Sequence, residues 1–211
     1  MMKGNLRILY LAKLPPSEYT STKLIKSIVR RYRFDLLIIG GDCRVDPHTL
    51  LNIVSNKEVI WVPGDEDDIM ITKVCRSLGI LCSGSLYHLS DYTIACIGGI
   101  DAIQDIKKVM NILDKDNQAK ESIIISHYPL INELHLTVNG RTVFLNLGVN
   151  ELLNLINRSK VMLSTHVRHN YVNTIGASLI LGLKSSYSGH SLIIDIKKPH
   201  ALSAYFLKIT P

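Results

Sequence analysis

Two aspartates and two histidines in this sequence follow short apolar runs, and together they could hold a metal ion. They are Asp42, Asp65, His127 and His166, and each lies within three residues of the end of its run. If the runs are strands of an α/β sheet, their carboxyl ends form the edge at which binding sites are built. Two carboxylates and two imidazoles suit zinc, manganese or iron. The sequence therefore predicts one divalent transition metal, bound by these four side chains.

Each of the four residues also has an ordinary structural explanation. A lone histidine is more often a hydrogen-bonded core residue than a metal ligand. Asp42 and Asp65 both precede predicted helices, and either could cap a first helical turn. Capping explains one acid well, but it does not explain why four such residues end four predicted strands. The metal site is the preferred interpretation, and ligand atoms spread over more than about 8 Å would exclude it.

The predicted elements place these residues in a mixed α/β chain. Apolar runs predict strands at 6–11, 36–39, 58–62, 122–126 and 160–164, two or three short strands within 81–97, and further strands separated by turns after 164. Apolar periodicity and capping residues predict helices at 20–32, from Asp46-Pro47 onward, and at 67–78, 102–114 and 149–158. The stretch 130–148 is expected to be a long loop with a turn at Asn139-Gly140. This layout is typical of an α/β (α+β) fold with two sheets flanked by helices.

The order of the strand-end residues resembles that of the calcineurin-like metallophosphoesterases. That family has the motifs D-x-H, G-D, G-N-H-D, a strand-end H and G-H-x-H, in that order. The corresponding stretches here are Ala12-Lys13-Leu14-Pro15, Gly41-Asp42, Gly64-Asp65-Glu66-Asp67, Ser126-His127 and Thr165-His166-Val167-Arg168. The resemblance covers most of the chain and implies a four-layer αββα two-sheet sandwich. With no linker-like stretch in the sequence, we expect a single domain over residues 1–211.

The resemblance also implies that one of the family's two metal sites is lost. The positions that hold the first metal are here Lys13, Pro15, Asp42 and Arg168, so three of the four ligands are missing. The positions that hold the second metal are here Asp42, Asp65, His127 and His166, and all four can bind a metal.

Three charged residues, Lys13, Glu66 and Arg168, are the candidates for acting on a substrate. The two cations could neutralise nearby carboxylates in place of the missing metal, or they could hold a phosphoryl group. They could also be solvated residues on loop ends. Glu66 stands where many family members have a histidine that contacts the phosphate. A carboxylate there repels a phosphate dianion unless it is protonated or paired. We expect Lys13 and Arg168 to point into the pocket near Asp42 or Glu66.

The resemblance implies a divergent metal-dependent phosphoesterase with one functional metal site and weak activity. Its substrate would be a phosphomonoester or phosphodiester, such as a phosphate-containing small molecule or nucleotide. The alternative is an inactive scaffold or binding protein with the same fold, as the retromer subunit with this fold is thought to be. The lost ligand set favours the scaffold, and the complete ligand set favours the hydrolase.

Composition limits the remaining classes. The net charge of +6 is compatible with anionic partners, but the basic residues of the helix at 20–32 have no interleaved aromatic residues. We interpret that helix face as solvated and do not expect a nucleic-acid partner. No apolar run is long enough to span a bilayer, and no signal peptide begins the sequence, so we expect a cytoplasmic location and no membrane partner.

The four cysteines form no C-x-x-C pair. They are Cys43, Cys75, Cys82 and Cys96. We expect small buried thiols rather than disulfides or a zinc knuckle.

Overall fold

The computed structural model describes residues 5–115, 122–129, 135–138, 141–144, 154–197 and 201–208. The strands of the first half are β1 (Asn5–Leu11), β2 (Leu36–Ile39), β3 (Glu58–Trp61), β4 (Ser85–Leu89), β5 (Tyr92–Ile97) and β6 (Ser122–Ser126). Those of the second half are β7 (His135–Val138), β8 (Arg141–Phe144), β9 (Ser159–Ser164), β10 (Tyr171–Ile175), β11 (Ser178–Gly182), β12 (His190–Lys197) and β13 (Ala201–Lys208). The helices are α1 (Glu18–Arg31), α2 (Pro47–Val54), α3 (Ile69–Ser77) and α4 (Ala102–Lys115), with a further helical turn at 154–157.

Two mixed sheets carry most of these strands. The first has the order β13-β12-β1-β2-β3, and the second has the order β10-β11-β9-β6-β5-β4. β1, β2 and β3 are parallel neighbours, as are β5, β6, β9 and β11. In the first sheet the antiparallel strands β12 and β13 lie on one side, and in the second sheet β10 and β4 are antiparallel edge strands. The neighbouring parallel strands of each sheet end at a common edge.

Three apolar clusters separate four layers. The central one lies between the two sheets and includes Ile38, Ile125 and Leu163. A second joins the first sheet to α1, α2 and α3, and a third joins the second sheet to α4 and the turn at 154–157. Because both faces of each sheet are covered, β2 and β6 are buried at every position, as uninterrupted apolar runs predict. The predicted αββα sandwich is confirmed.

Most predicted elements are confirmed to within two residues, and the helix starts show why. Asp46 caps α2 by accepting a hydrogen bond from the backbone N–H of Thr49, and Pro47 occupies the first helical turn. α1 begins two residues earlier than predicted because Ser17 is its cap, and α3 is capped by Asp68.

The expected long loop at 130–148 is wrong in part. β7 and β8 pair as antiparallel strands with Val138 opposite Arg141. Four-residue strands give a weak sequence signal, although Asn139-Gly140 is a typical hairpin dipeptide. Asn139 and Gly140 lie outside the described residues. So do residues 149–153 of the helix predicted at 149–158.

The expectation of free thiols is wrong for two of the four cysteines. Cys82 and Cys96 form a disulfide across the start of the β4–β5 hairpin, with Cα atoms 5.6 Å apart. Only the folded hairpin brings them together, because they are 14 positions apart in a sequence without a local motif. Cys43 and Cys75 are free and buried, as expected.

Within the described ranges, no helix combines the length and the apolar character needed to cross a membrane.

The disulfide predicts a defined thiol count and a stability change. Alkylation of the unfolded, unreduced protein should modify two cysteines and leave the Cys82–Cys96 pair unmodified, whereas prior reduction should expose all four. Reduction should lower the free energy of unfolding by about 3 kcal/mol, since the bridge closes a loop of roughly 15 residues. Modification of all four cysteines without reductant would contradict the pairing.

Candidate metal centre

The four predicted ligands lie where strands of the two sheets end side by side. Asp42 follows β2 and Asp65 follows β3 in the first sheet, while His127 follows β6 and His166 follows β9 in the second. One ligand atom from each residue falls within a group whose members all lie within 4.8 Å of one another. The predicted convergence is therefore correct, and the cluster bridges the two sheets.

The ligand atoms face one another as carboxylate–imidazole pairs. His127 Nε2 lies 2.9 Å from Asp65 Oδ1, and His166 Nε2 lies 3.0 Å from Asp42 Oδ2. The crossed pairs are also close, at 3.6 Å between His127 and Asp42 and 3.3 Å between His166 and Asp65. Each imidazole therefore lies close to both carboxylates.

The orientation of His127 suits metal binding. Its Nδ1 lies 2.7 Å from the carbonyl oxygen of Gly40, and because a carbonyl can only accept, Nδ1 must carry the hydrogen. Nε2 is then the atom that faces the acids. A backbone carbonyl that fixes the remaining ring nitrogen is the usual support of a metal-binding histidine. The ring is fully buried, so this orientation is held by packing as well.

The electrostatics of the cluster favour ionised carboxylates beside a positive charge. Burial raises the pKa of Asp42, but the hydrogen bond from His166 and the charge of His127 outweigh it, and the net pKa is lowered. The pKa of Asp65 is lowered far below its usual value by both histidines, against the opposing effect of burial. Burial lowers the pKa of His166, yet its bonds to Asp42 and Asp65 raise it to about 9.

These residues fit one divalent cation. Bonds of about 2.0–2.2 Å place the ligands of one ion at most about 4.4 Å apart. The observed group reaches that size after shifts of a few tenths of an ångström, and its two carboxylates need a positive charge that a metal ion supplies. Among the described residues, no second group of three or more potential ligands is found.

Lys13 occupies the side of Asp42 where the resemblance implies a lost metal. Its Nζ lies 3.9 Å from Asp42 Oδ2 and 3.2 Å from Glu66 Oε1, as expected for a cation that replaces part of the missing charge. The expected contact of Arg168 is not found. Arg168 is exposed and forms no ion pair with an acid of the described residues.

Neither acid of the cluster caps a helix. The cap of α2 is Asp46, which follows Asp42 in the sequence, and the cap of α3 is Asp68, which follows Asp65. Asp42 instead accepts a hydrogen bond from the backbone N–H of Glu66, at 3.1 Å, and so links the loops after β2 and β3. The capping alternative is therefore wrong for Asp42 and Asp65.

Backbone strain concentrates in the same loops. Lys13, Asp42 and His166 have φ angles of 49°, 55° and 57°, in the left-handed region that most residues avoid. Such conformations cost of order 1–3 kcal/mol each and persist where surrounding contacts impose them. Here the backbone N–H of Lys13 donates to the carbonyl of Gly41, and Ser185 Oγ donates to the carbonyl of Lys13.

Two supporting residues were not identified from the sequence. Asp67 accepts hydrogen bonds from the backbone N–H groups of Cys43 and Gly64 and from the Trp61 indole, so it holds two loops together. Tyr128 places its buried ring 4.9 Å from His127 and 5.2 Å from His166. Burial and the charge of Asp65 raise the pKa of Tyr128, which keeps its hydroxyl protonated. Its position directly after His127 was the available signal.

Three glycines allow the loops to close on His127. A side-chain carbon at Gly41 would lie 2.6 Å from His127 Nδ1, and one at Gly99 would lie 2.5 Å from its Cδ2. At Gly64 the added carbon would overlap the Asp42 carboxylate and lie 2.7 Å from His127 Cε1. Any larger residue would therefore separate the ligands.

The packing of Gly64 predicts that Gly64→Ala disrupts the cluster. We expect the free energy of unfolding to fall by about 1–3 kcal/mol, because the methyl group overpacks a rigid site. Stoichiometric zinc or manganese binding, measured by calorimetry, should be lost or weakened at least tenfold. Gly79→Asn is the matched control, since nothing lies within 4 Å of that position and asparagine tolerates its φ of 71°. Unchanged metal affinity in Gly64→Ala would contradict the proposed geometry.

The fold is shared with structures of very different sequence. No protein-family model matches the sequence, and no curated protein sequence matches it. TT1561 of Thermus thermophilus is 14% identical over 95% of this chain and 98% of its own, with a TM-score of 0.60. A dimetal phosphatase from Danio rerio is 10% identical over 97% and 99%, with a TM-score of 0.56. Vacuolar protein sorting 29 from Cryptosporidium parvum is 9% identical over 99% and 100%, with a TM-score of 0.51. The fold of this chain is that of the calcineurin-like metallophosphoesterases.

Proposed function

We propose that this protein is a metal-dependent phosphoesterase that uses one divalent transition metal ion, such as manganese, zinc or iron, and hydrolyses phosphate esters slowly. The observation that carries the proposal is the cluster of Asp42, Asp65, His127 and His166, with ligand atoms within 4.8 Å of one another. The similarity to a dimetal phosphatase structure supports the reaction class. A single domain over residues 1–211, inferred from the sequence, belongs to the same proposal. So does a cytoplasmic location, against which the Cys82–Cys96 disulfide counts, since disulfides are rare in reducing compartments.

A divalent metal held by Asp42, Asp65, His127 and His166 would supply a Lewis acid and would lower the pKa of a coordinated water toward about 7. Asp42 and Asp65 are held ionised, and His166 would have to lose its proton to act as a ligand. The Tyr128 hydroxyl keeps its proton and can donate a hydrogen bond at the cluster. Thr165 donates to the carbonyl of His127, at 2.6 Å, and fixes the two histidine loops relative to each other.

The proposed low rate follows from the charges beside Asp42. Lys13 replaces part of a second metal's charge, but an ammonium group cannot activate a second oxygen as a metal can. Glu66 adds a negative charge that opposes a phosphate dianion, although its pairing with Lys13 reduces the effect. Arg168 is proposed to contact substrate from its exposed loop.

Activity should depend on one added metal and on the cluster. We expect slow hydrolysis of p-nitrophenyl phosphate or bis(p-nitrophenyl) phosphate by the metal-free protein only after manganese or zinc is added. His127→Ala and Asp42→Ala should lower the rate at least about 100-fold, because each removes a ligand. His169→Ala, an exposed neighbour, is the control for loss of a histidine. Fast turnover by the wild-type protein would contradict the proposal that Lys13 and Glu66 lower the rate of hydrolysis.

The lost ligand set makes a rescue experiment possible. Lys13→Asp, Pro15→His and Arg168→His together should raise the rate and the bound metal from one ion to two, if the missing metal limits the reaction. The strained φ of 49° at position 13 suits an aspartate. No rescue in a folded variant that binds two ions would favour the inactive scaffold with a structural metal.

A further inference from the structure

The Cys82–Cys96 disulfide joins the two sheets a few residues before the loops that form the metal cluster. Residues 80–82 run beside β3: the backbone N–H of Trp61 donates to the carbonyl of Ile80 at 2.8 Å, and its carbonyl accepts from the N–H of Cys82 at 2.9 Å. Cys96 belongs to β5 of the second sheet, and both cysteines lie in the apolar layer between the sheets. The bond therefore fastens the edge of the first sheet to the second sheet.

The first cysteine is attached to the strand that leads to Asp65. Leu81, which precedes Cys82, pairs with Trp61 in a parallel bridge. Trp61 is the last residue of β3, and Asp65 follows it by four positions. A displacement of Cys82 therefore moves the end of β3 and the loop that carries Asp65.

The second cysteine is attached to the strands that lead to His127. Cys96 pairs with Ile125 of β6, two positions before His127. The backbone N–H of His127 donates to the carbonyl of Ile97, the residue after Cys96, at 2.9 Å. The position of the His127 ring therefore depends on the position of β5.

The other contacts that join these two loops are not covalent. The backbone N–H of Gly99 donates to the carbonyl of Pro63 at 2.7 Å, and His127 Nε2 lies 2.9 Å from Asp65 Oδ1. Both contacts can be exchanged for contacts with water when the loops separate, whereas a disulfide keeps the Cα atoms of its two cysteines within about 7 Å. The covalent bond is therefore the firmest constraint on the spacing of the two loops.

Building on the proposed metal site, we infer that the Cys82–Cys96 disulfide is a positioning element that keeps Asp65 and His127 at metal-binding distance. The oxidised protein holds the ligands of both sheets in place. The reduced protein lets the loop of Asp65 move away from His127, so its metal affinity is lower. The disulfide thereby makes the proposed activity sensitive to the oxidation state of the protein.

Reduction of the disulfide follows ordinary thiol–disulfide exchange with a dithiol reagent. A thiolate of the reagent attacks one protein sulfur, and its second thiol resolves the mixed disulfide. The reagent becomes a disulfide, and the protein gains two electrons and two protons as two thiols. Because coupling between two sites is reciprocal, a bound metal must oppose this reduction by the same factor by which reduction weakens metal binding.

Manganese affinity with and without the disulfide measures this coupling. Manganese is the chosen metal because it favours oxygen and nitrogen ligands over thiolates. By calorimetry, we expect Cys82→Ala/Cys96→Ala to bind manganese at least about tenfold more weakly than the oxidised wild-type protein. In anaerobic dithiothreitol mixtures, saturating manganese should then disfavour reduction of the wild-type disulfide by the same factor. A tenfold effect is a shift of about 30 mV in its reduction potential.

Two control variants separate positioning from a general loss of stability. Cys75→Ala removes a buried thiol that is not part of the disulfide. Leu113→Ala weakens the core near the last turn of α4, roughly 16 Å along the helix from its start. Both should destabilise the protein and retain the wild-type manganese affinity, measured at a temperature at which every variant is folded.

The His127 ring provides a readout in the metal-free protein. Its Nδ1 hydrogen is bonded to the carbonyl of Gly40, and the ring is fully buried, so the hydrogen exchanges slowly with solvent. By NMR, we expect faster exchange in Cys82→Ala/Cys96→Ala than in the oxidised wild-type protein and no such change in Leu113→Ala.

The outcomes separate this inference from the proposed function. Equal manganese affinity with and without the disulfide overturns the inference even if the protein hydrolyses esters, and so does an equal loss of affinity in Leu113→Ala. Disulfide-dependent affinity without hydrolysis supports the inference and counts against the proposed activity. If the oxidised protein binds no metal, the proposed function fails, and the exchange of the His127 hydrogen decides the inference.

Discussion

The close contact of the β2 and β3 loops with His127 is the constraint on which the rest of this structure depends. His127 belongs to the second sheet, yet its ring is held by the carbonyl of Gly40 in the first sheet. Glycines at positions 41, 64 and 99 leave room for the ring between the loops. Because the cluster takes its acids from one sheet and its histidines from the other, it forms only when the two sheets pack face to face. The central apolar layer therefore positions the ligands as well as stabilising the fold.

Charge balance constrains the residues around the cluster. The buried carboxylate of Asp42 and the partly exposed one of Asp65 need positive charge close by, and it comes from Lys13 and from His166, whose pKa is raised to about 9. Lys13 is engaged by Glu66, so it contributes little net charge to a ligand. That leaves the proposed ion as the main positive charge for an anion. A site arranged in this way suits slow chemistry.

The sequence was sufficient for the layers and for the convergence of Asp42, Asp65, His127 and His166, because both depend on local patterns. Short, fully apolar runs such as 36–39 favour strands that are covered on both faces, and the residues that follow neighbouring parallel strands share one edge. It was not sufficient for Arg168, which forms no ion pair with Asp42 or Glu66 among the described residues. Nor did it reveal the Cys82–Cys96 disulfide or the role of Asp67, since each is defined by contacts between distant segments. The sequence pattern within a single helix or strand predicts that element, whereas contacts between loops from distant parts of the chain cannot be predicted from such patterns.

The most direct test of this account is the number of metal ions at the cluster. Crystals grown with manganese or zinc, with diffraction data collected at the absorption edge of that metal, locate the ions by anomalous scattering. The account predicts one peak, within bonding distance of Asp42, Asp65, His127 and His166, with Lys13 beside Asp42 where a second ion would otherwise lie. Two peaks that share Asp42, or no peak at the four ligands, would contradict it.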